Sequence, residues 1–147
     1  QPTIVIEPGS SVVSNVFSYY TKVYQNKKVG KVNFVMVDGT VFDVKPTMHS
    51  NNLPHKVYRG IENEERYVCD VVGSTCMEKD VILSDVNVPN SIKEGDYVLI
   101  NGVGAYTIVL TPTFINYVSP IISVCKSDEE LVRRRQTLSD VMAFYKI

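Results

Sequence analysis

The fold class is decided by an alternating stretch near the start of the chain, Phe17-Ser18-Tyr19-Tyr20-Thr21-Lys22-Val23-Tyr24. Every second side chain has apolar character, which is the period-two pattern of a strand with one buried face. Tyrosine, threonine and valine also favour strands. Further runs of this type recur with Asp38-Gly39 and Gly95-Asp96 as turns between them: 31–37, 66–72, 80–86 and 97–100.

The two ends of the chain add a few short elements to this pattern. The segment 10–16 predicts a helical turn capped by serine, and Thr137 is the predicted N-cap of a helix that runs through Phe144. Residues 119–125 and 129–134 predict a hairpin, 3–6 a strand, and 45–56 a loop. Many short strands predict a mainly β fold: a small β-barrel or sandwich domain with a short helix near the N-terminus and a C-terminal helix.

Size and composition place the chain among ordinary globular domains. It has 147 residues, 44% of them hydrophobic and 21% charged, with a net charge of −1, which argues against non-specific nucleic-acid binding. No apolar run approaches the roughly 18 residues of a membrane span. Three cysteines, at 69, 76 and 125, fit neither a disulfide framework nor a zinc site. We therefore expect reduced thiols, a cytoplasmic location, no metal site, no nucleic-acid partner and no membrane partner.

Three short stretches join a reactive side chain to a nearby glycine: Glu7-Pro8-Gly9, Gly73-Ser74-Thr75-Cys76 and Gly104-Ala105-Tyr106-Thr107. A carboxylate, a thiol and a phenol brought together could serve a phosphate-bearing cofactor. Taken singly, each stretch has a plainer interpretation: a strand exit, a small buried hydrophobe and a core aromatic.

Two other polar groups favour structural interpretations. His49 and His55 flank a proline in the predicted loop and have no evident base partner, so we interpret them as solvated. Arg133-Arg134-Arg135 would alternate between the two sides of a strand, so it predicts a solvated edge strand rather than one basic surface.

In combination, the motifs resemble the C-terminal β domain of the pyridoxal-phosphate-dependent amino-acid decarboxylases of ornithine and diaminopimelate type, which have an alanine-racemase-like fold. The resemblance implies that residues 1–9 end the last strand of a missing TIM barrel and that 10–147 form the C-terminal β domain. The Schiff-base lysine would lie in the N-terminal barrel, so the fragment alone would be inactive, with a gap in its sheet. The matched stretches are 7–9, 34–39, 45–46, 72–76 with 80–81, 95–96, 104–107 and 133–137.

The resemblance also implies roles for individual residues. Glu7 would contact the pyridine nitrogen of pyridoxal 5'-phosphate and favour its protonated form. Gly9 and Tyr106 would bind the phosphate through a backbone group and a hydroxyl. Cys76 would return a proton to the carbon that loses carbon dioxide. In the family this cysteine reaches into the partner subunit's site, which implies a homodimer with shared active sites.

Three departures from the family pattern concern the phosphate and the substrate. Ser10 stands where most relatives place a phosphate-binding arginine, so we include it among the cofactor-binding residues. Met77 stands where an acid usually reads the distal amino group of the substrate, with Glu78 as the alternative. Lys45 and His49 stand where diaminopimelate-type enzymes have arginine and tyrosine, and lysine lacks the bidentate fork. With Phe114 these residues form the candidate substrate site, and they imply a substrate that is neither plain ornithine nor plain meso-diaminopimelate.

Three alternatives stay open at this stage. Amino-acid racemases share the architecture, although they commonly place arginine, not glutamate, near the pyridine nitrogen. A non-catalytic homologue that regulates an active relative would explain Ser10 and Met77. A generic β-barrel binding module would explain the strands and leave the three glycine-flanked motifs as coincidence.

Overall fold

The computed structural model describes residues 2–58 and 64–145, and the mainly β prediction is confirmed. Most strands join one nearly closed, barrel-like sheet in the order β3-β6-β1-β2-β4-β5. Its pairs are antiparallel except for β2 with β4, which run parallel. The strands are β1 (Ser18–Val29), β2 (Val32–Val37), β3 (His55–Tyr58), β4 (Arg66–Val72), β5 (Val81–Pro89) and β6 (Tyr97–Asn101).

The alternating stretch forms the first half of β1, as predicted. Thr21 and Val23 are buried, whereas Tyr20 and Lys22 face outward. β1 lies between β2 and β6 in the sheet, and Val23 is one of its inward side chains in the core. The core is made mostly of β-branched residues, which suit a pleated buried surface: Val23, Val35, Val37, Val41, Val71, Ile82, Val88, Val98 and Ile100.

Within the described residues, one side chain bridges the two edges of the sheet, β3 and β5. The Asn52 side chain precedes β3 and bonds to the backbone of Ser84 in β5. Its amide nitrogen donates to the Ser84 carbonyl oxygen at 2.7 Å, and its carbonyl oxygen accepts from the Ser84 N–H at 2.9 Å. The Asn52 side-chain amide thus makes the same pair of hydrogen bonds to Ser84 that the backbone of a neighbouring strand would make. The sequence analysis predicts a gap in the sheet, and apart from the Asn52 contact this gap between β3 and β5 stays a prediction. That an early segment of a longer chain fills the gap is also a prediction.

The segments outside this sheet contain short helices and a hairpin. Helix α1 (Ser10–Val13) is followed by a 3-10 turn at Ser14–Val16, and another 3-10 turn spans Val41–Asp43. Helix α2 spans Thr107–Leu110 and α3 spans Leu138–Met142. Strands β7 (Ile121–Cys125) and β8 (Asp128–Arg133) form the predicted hairpin. None of the helices described is long or apolar enough to cross a membrane.

Three details of the sequence prediction need correction. The N-cap of α1 is Gly9, without a side-chain hydrogen bond, so the predicted serine cap is wrong. Residues 3–6 pair with no strand within the described ranges, so their expected place at the end of a barrel strand stays a prediction. His55 begins β3 and is not a loop residue, although it is exposed. Helix α3 ends at Met142, before Phe144.

The N-cap of α3 is Thr137, as predicted, and the capping residues also provide the partner of Arg134. Thr137 and Asp140 form a capping box, in which each side chain accepts from the other's backbone N–H. Arg134 adds two contacts of 2.6 Å to the Asp140 carboxylate. Together with the Thr137 bonds, these contacts hold the pKa of Asp140 well below its usual range. Arg133 turns the other way, is half-buried and donates to the Ser119 carbonyl oxygen.

Candidate active site

The first and third glycine motifs meet at one place on the surface. A Cβ built on Gly9 would lie 3.8 Å from the Tyr106 hydroxyl, so the phenol lies beside the Gly9 backbone. We call this pair of groups the Gly9–Tyr106 cradle. The absence of a Gly9 side chain leaves the backbone there open to a ligand.

Gly104 allows the two segments that carry the Gly9–Tyr106 cradle to pack closely against each other. A Cβ at Gly104 would lie 1.9 Å from the Val13 carbonyl oxygen, closer than atoms can approach. The Gly104 N–H also donates to the Ser14 carbonyl oxygen at 3.0 Å. Only glycine therefore lets the end of α1 pack directly on the loop that leads to Tyr106.

Tyr106 has an unusual backbone conformation for a bulky residue. It lies at the N-cap of α2 with φ 68° and ψ −19°, in the left-handed region, and its surface is 53% exposed. Such a conformation costs on the order of 1–3 kcal/mol and often occurs at ligand sites. Thr107 anchors the next residue, because its hydroxyl donates to the Val103 carbonyl oxygen at 2.5 Å.

Glu7 and Ser10 flank the cradle in sequence and are both exposed. Glu7 lies in the extended segment before α1, and Ser10 is the first residue of α1. No hydrogen bond within the described residues holds either side chain. Both are therefore available to a ligand.

Cys76 lies in the loop between β4 and β5, with its side chain exposed. Burial affects the other thiols differently: it raises the pKa of Cys69 to about 12, while Cys125 is exposed on the hairpin. Cys69 is thus a core residue, as expected for a cysteine inside a strand. Of the two accessible thiols, only Cys76 follows a glycine motif.

The Cys76 loop is tied to the segment that follows α2. The Asn116 side chain donates to the Ser74 hydroxyl at 2.7 Å, and the Ser74 N–H donates to the Gly39 carbonyl oxygen at 2.9 Å. Phe114, in the same segment, packs edge-on against Phe42 with 6.5 Å between ring centroids. Phe114 therefore lies on a segment that follows the third motif along the chain and bonds to the loop of the second motif.

The remaining substrate candidates differ in burial. Lys45 is only 3% exposed, and burial lowers the pKa of its amine. Within residues 2–58 and 64–145, no carboxylate forms an ion pair with it. Met77 is half-buried and packs against the core, whereas His49 and Glu78 are exposed.

One polar cluster had no signal in the sequence. The Tyr19 hydroxyl donates to Asp43 at 3.0 Å, and the Ser119 hydroxyl approaches the other Asp43 oxygen at 3.4 Å. Burial raises the pKa of Asp43 and outweighs the opposing effects of Tyr19, Ser119 and Arg133. The cluster lines a cavity of about 100 Å³ beneath α2. Its members lie far apart in sequence and carry no shared motif, so only the fold reveals them.

A family model and many relatives match this chain. The model of the pyridoxal-dependent decarboxylase C-terminal sheet domain matches residues 10–104. A diaminopimelate decarboxylase of Helicobacter pylori (strain J99) is 30% identical over 142 residues, which cover 95% of this chain and 35% of that protein. The diaminopimelate decarboxylase of Corynebacterium efficiens is 26% identical over 149 residues, covering 97% and 32%.

Solved structures agree with the sequence matches. Diaminopimelate decarboxylase from M. jannaschii, in co-complex with L-lysine, has a TM-score of 0.87 at 26% identity and covers all of this chain and 34% of that one. The arginine decarboxylase of Paramecium bursaria Chlorella virus shares the fold, with a TM-score of 0.65 at 24% identity over 74% and 30% of the two chains. The chain thus spans about a third of the length of the relatives it matches.

Proposed function

The chain belongs to the pyridoxal-dependent decarboxylases, as their C-terminal sheet domain, and from this we propose that it completes the active site of an amino-acid carboxy-lyase. The supporting observation is the Gly9–Tyr106 cradle, where an open backbone and an exposed phenol lie side by side. A hydroxyl donor beside exposed backbone suits a phosphate. The substrate is an amino acid of diaminopimelate or ornithine type with an altered distal end.

The residues around the cradle fit pyridoxal phosphate. When bound, this cofactor supplies the electron sink for loss of carbon dioxide from an amino acid. Tyr106 would donate its hydroxyl to the phosphate, Gly9 would contribute backbone, and the exposed Ser10 hydroxyl would add a neutral donor where no arginine is present. Glu7 would hold the proton on the ring nitrogen, because a nearby carboxylate favours the charged form of a base.

Cys76 acts as the acid that completes the reaction. Its exposure allows it to reach a substrate presented by another part of the protein. Cys76 gives the Sγ proton to the α-carbon after carbon dioxide has left, and the thiolate then recovers a proton from solvent.

Lys45 recognises the distal end of the substrate. A nearly buried amine with a lowered pKa gains from an approaching carboxylate, which favours its charged form. An ammonium binds a carboxylate as a point charge and not as a bidentate fork, so the site tolerates distal groups placed differently from that of meso-diaminopimelate. His49, Glu78, Met77 and Phe114 form the rest of the substrate site in this proposal.

The remaining parts of the enzyme come from other elements. We propose that residues 1–9 end the last strand of a TIM-barrel domain, which carries the Schiff-base lysine, and that 10–147 form the β domain. A homodimer places Cys76 in the partner's site. The exposed thiols of Cys76 and Cys125 suit a reducing, cytoplasmic compartment.

The test uses the full-length protein, purified with the cofactor. Carbon dioxide release is measured with meso-diaminopimelate, ornithine and derivatives of both that are altered at the distal end. We expect release that is fastest with a derivative carrying a distal anion, and Lys45→Ala should raise KM mainly for such substrates. Loss of optical rotation without carbon dioxide release would indicate a racemase. Failure to retain the cofactor would favour the non-catalytic, regulatory homologue.

A further inference from the structure

The loop that follows α2 contains a strained turn at Ile115. The φ angle of Ile115 is 62°, in the left-handed region that a β-branched residue very rarely adopts. The Asn116 N–H donates to the Phe114 carbonyl oxygen at 2.6 Å, which closes a three-residue γ-turn with Ile115 at its centre. Ile115 is also 61% exposed, so burial of its side chain in the core does not offset the strain.

Gln136 bonds to both ends of this loop, which spans residues 113–118. Its side-chain oxygen accepts from the Thr113 hydroxyl and from the Val118 N–H, each at 3.1 Å. The Gln136 N–H donates in turn to the Val118 carbonyl oxygen at 3.2 Å. Because these bonds fix the start and the end of the 113–118 loop, the residues between them must follow a tight path.

The 113–118 loop is also bonded to the loop that carries Cys76. The Asn116 side-chain amide donates to the Ser74 hydroxyl at 2.7 Å, and Ser74 precedes Cys76 by two residues. The Ser74 hydroxyl donates in turn to the Gly39 carbonyl oxygen at 3.2 Å. Strained backbone persists only where the surrounding structure holds it in place, and it occurs commonly at ligand sites. The bonds to Gln136 and to Ser74 meet this condition.

We propose that Ile115 is a specificity-determining residue, which contacts the hydrocarbon chain of the substrate that Cys76 protonates. This role rests on the proposed function, because Cys76 marks the position of the substrate only if it is the proton donor. The two loops belong to one chain and are bonded to each other, so a homodimer that places Cys76 in the partner's site places Ile115 there as well. Isoleucine has no polar side-chain atom, so it responds to the length of the methylene chain and not to the charged ends of the substrate.

An apolar contact of this kind can separate substrates that differ by one methylene group. In a hydrophobic pocket, such a difference is usually worth about 10–200-fold in kcat/KM. Phe114, on the same loop, is 38% exposed and packs edge-on against Phe42, so it supplies a fixed aromatic surface next to Ile115. We therefore expect the enzyme to discriminate by chain length and Ile115 to account for part of that discrimination.

The kinetic test compares the fastest substrate of the full-length enzyme with its homologue that has one more methylene. Ile115→Ala and Ile115→Asn should bring the ratio of the two kcat/KM values about tenfold closer to one, whereas Ile115→Val keeps a β-branched apolar side chain and should largely keep the ratio. Ile122→Asn, at an exposed isoleucine of the β7–β8 hairpin, is the matched control. Asparagine tolerates the left-handed region, so Ile115→Asn should also raise the urea midpoint more than Ile115→Ala does. A raised midpoint with an unchanged kcat/KM ratio would overturn the inference.

A second measurement does not depend on activity. Calorimetry gives the Kd of ornithine and of lysine, which differ by one methylene, for the full-length protein loaded with cofactor. The two Kd values should differ by about tenfold or more in the wild type and become nearly equal in Ile115→Asn. If the wild type releases no carbon dioxide, the proposed function fails, whereas this change in the Kd ratio would still establish Ile115 as a contact for the chain. The same Kd ratio in both proteins, or binding of neither amino acid, would overturn the inference.

Discussion

At the scale of single residues, the proposed role of the exposed Cys76 thiol as proton donor can be tested by substitution. In the full-length enzyme, Cys76→Ala should lower formation of the correct product by roughly 10²–10⁴-fold, the usual contribution of a positioned acid. Wrongly protonated by-products should appear while the cofactor stays bound. Cys125→Ala is the matched control, because Cys125 is also exposed but lies on the β7–β8 hairpin. Equal product patterns in both variants would exclude Cys76 as the proton donor.

The Tyr106 hydroxyl is expected to account for part of the cofactor affinity. Tyr106→Phe keeps the ring and removes only the hydroxyl, so it should weaken cofactor binding by about 1.5–3 kcal/mol, one hydrogen bond to a charged group. Titration of the apo-enzyme with pyridoxal phosphate measures this change. Tyr97→Phe, at another exposed tyrosine, should leave the affinity unchanged. Equal affinity in the two variants would contradict the contact.

Sequence reasoning at this scale found the side chains but not their burial. Cys76 and Tyr106 were predicted from nearby glycines, and the structure places both at the surface. The burial of Lys45 had no sequence signal, because a lysine after a valine is usually solvated. The bond between Asn116 and Ser74 joins residues that are distant in sequence, so it follows from the fold alone.

At the scale of elements, the packing of α1 on the loop before α2 depends on Gly104. Gly104→Ala would place a methyl group 1.9 Å from the Val13 carbonyl oxygen. We expect a loss of about 1–3 kcal/mol in the free energy of unfolding, the usual cost of overpacking. Cofactor affinity should fall as well, because α1 and Tyr106 would move apart. Urea denaturation measures the first effect, and Ser11→Ala, at an exposed position of α1, is the control.

The cluster of Tyr19, Asp43 and Ser119 joins β1, the 3-10 turn at Val41–Asp43 and the segment before β7. Its contribution to the free energy of unfolding should depend on pH. Burial raises the pKa of Asp43, so the folded state holds this proton more tightly than the unfolded state does. The stability contributed by Asp43 is therefore complete below the unfolded pKa of about 3.9 and is lost as the pH rises through the raised folded value.

Asp43→Asn removes this titration and keeps an oxygen that can accept from Tyr19. The stability of the variant relative to the wild type should therefore increase as the pH rises from about 4 through the folded pKa of Asp43. Urea denaturation over a pH series gives the difference directly. Asp128→Asn, on the exposed hairpin, corrects for general charge effects. A flat difference for Asp43→Asn would show that the folded pKa is not raised.

At the scale of the whole molecule, several apolar groups have no cover. Ile4, Val5 and Ile6 are 77–84% exposed. Ile122 pairs with Leu131 on one face of the hairpin, and both are also exposed. A two-stranded hairpin is marginally stable by itself. These surfaces support the proposal that a barrel domain and a second subunit complete the chain.

The 147-residue chain alone is therefore expected to release no carbon dioxide. It should also bind a dye for exposed apolar surface more strongly than the full-length enzyme does. Adding a separately produced barrel domain should lower dye binding and restore cofactor retention. Decarboxylation by the isolated chain would contradict the proposed division of the active site.

The architecture was predictable because strand periodicity is local. The inward residues of β1, among them Thr21 and Val23, alternate in the sequence as they do in the sheet. Strand order was not predictable, since the parallel pairing of β2 with β4 joins segments separated by a long connection. The strand predicted at 3–6 pairs with no strand among the described residues, and its pattern alone could not reveal that.

The side-chain amide of Asn52 has a consequence for where the native protein opens locally. Where neighbouring strands of a barrel are held by ladders of backbone bonds, the β3–β5 junction, in the part of the chain that the structure describes, has one side chain bonded to one residue. Transient opening should begin along that line, because fewer bonds must break there than between β1 and β2. The amides of β3 should then be the first in the sheet to exchange with solvent, and Asn52→Ala should speed their exchange while leaving the β1–β2 amides protected.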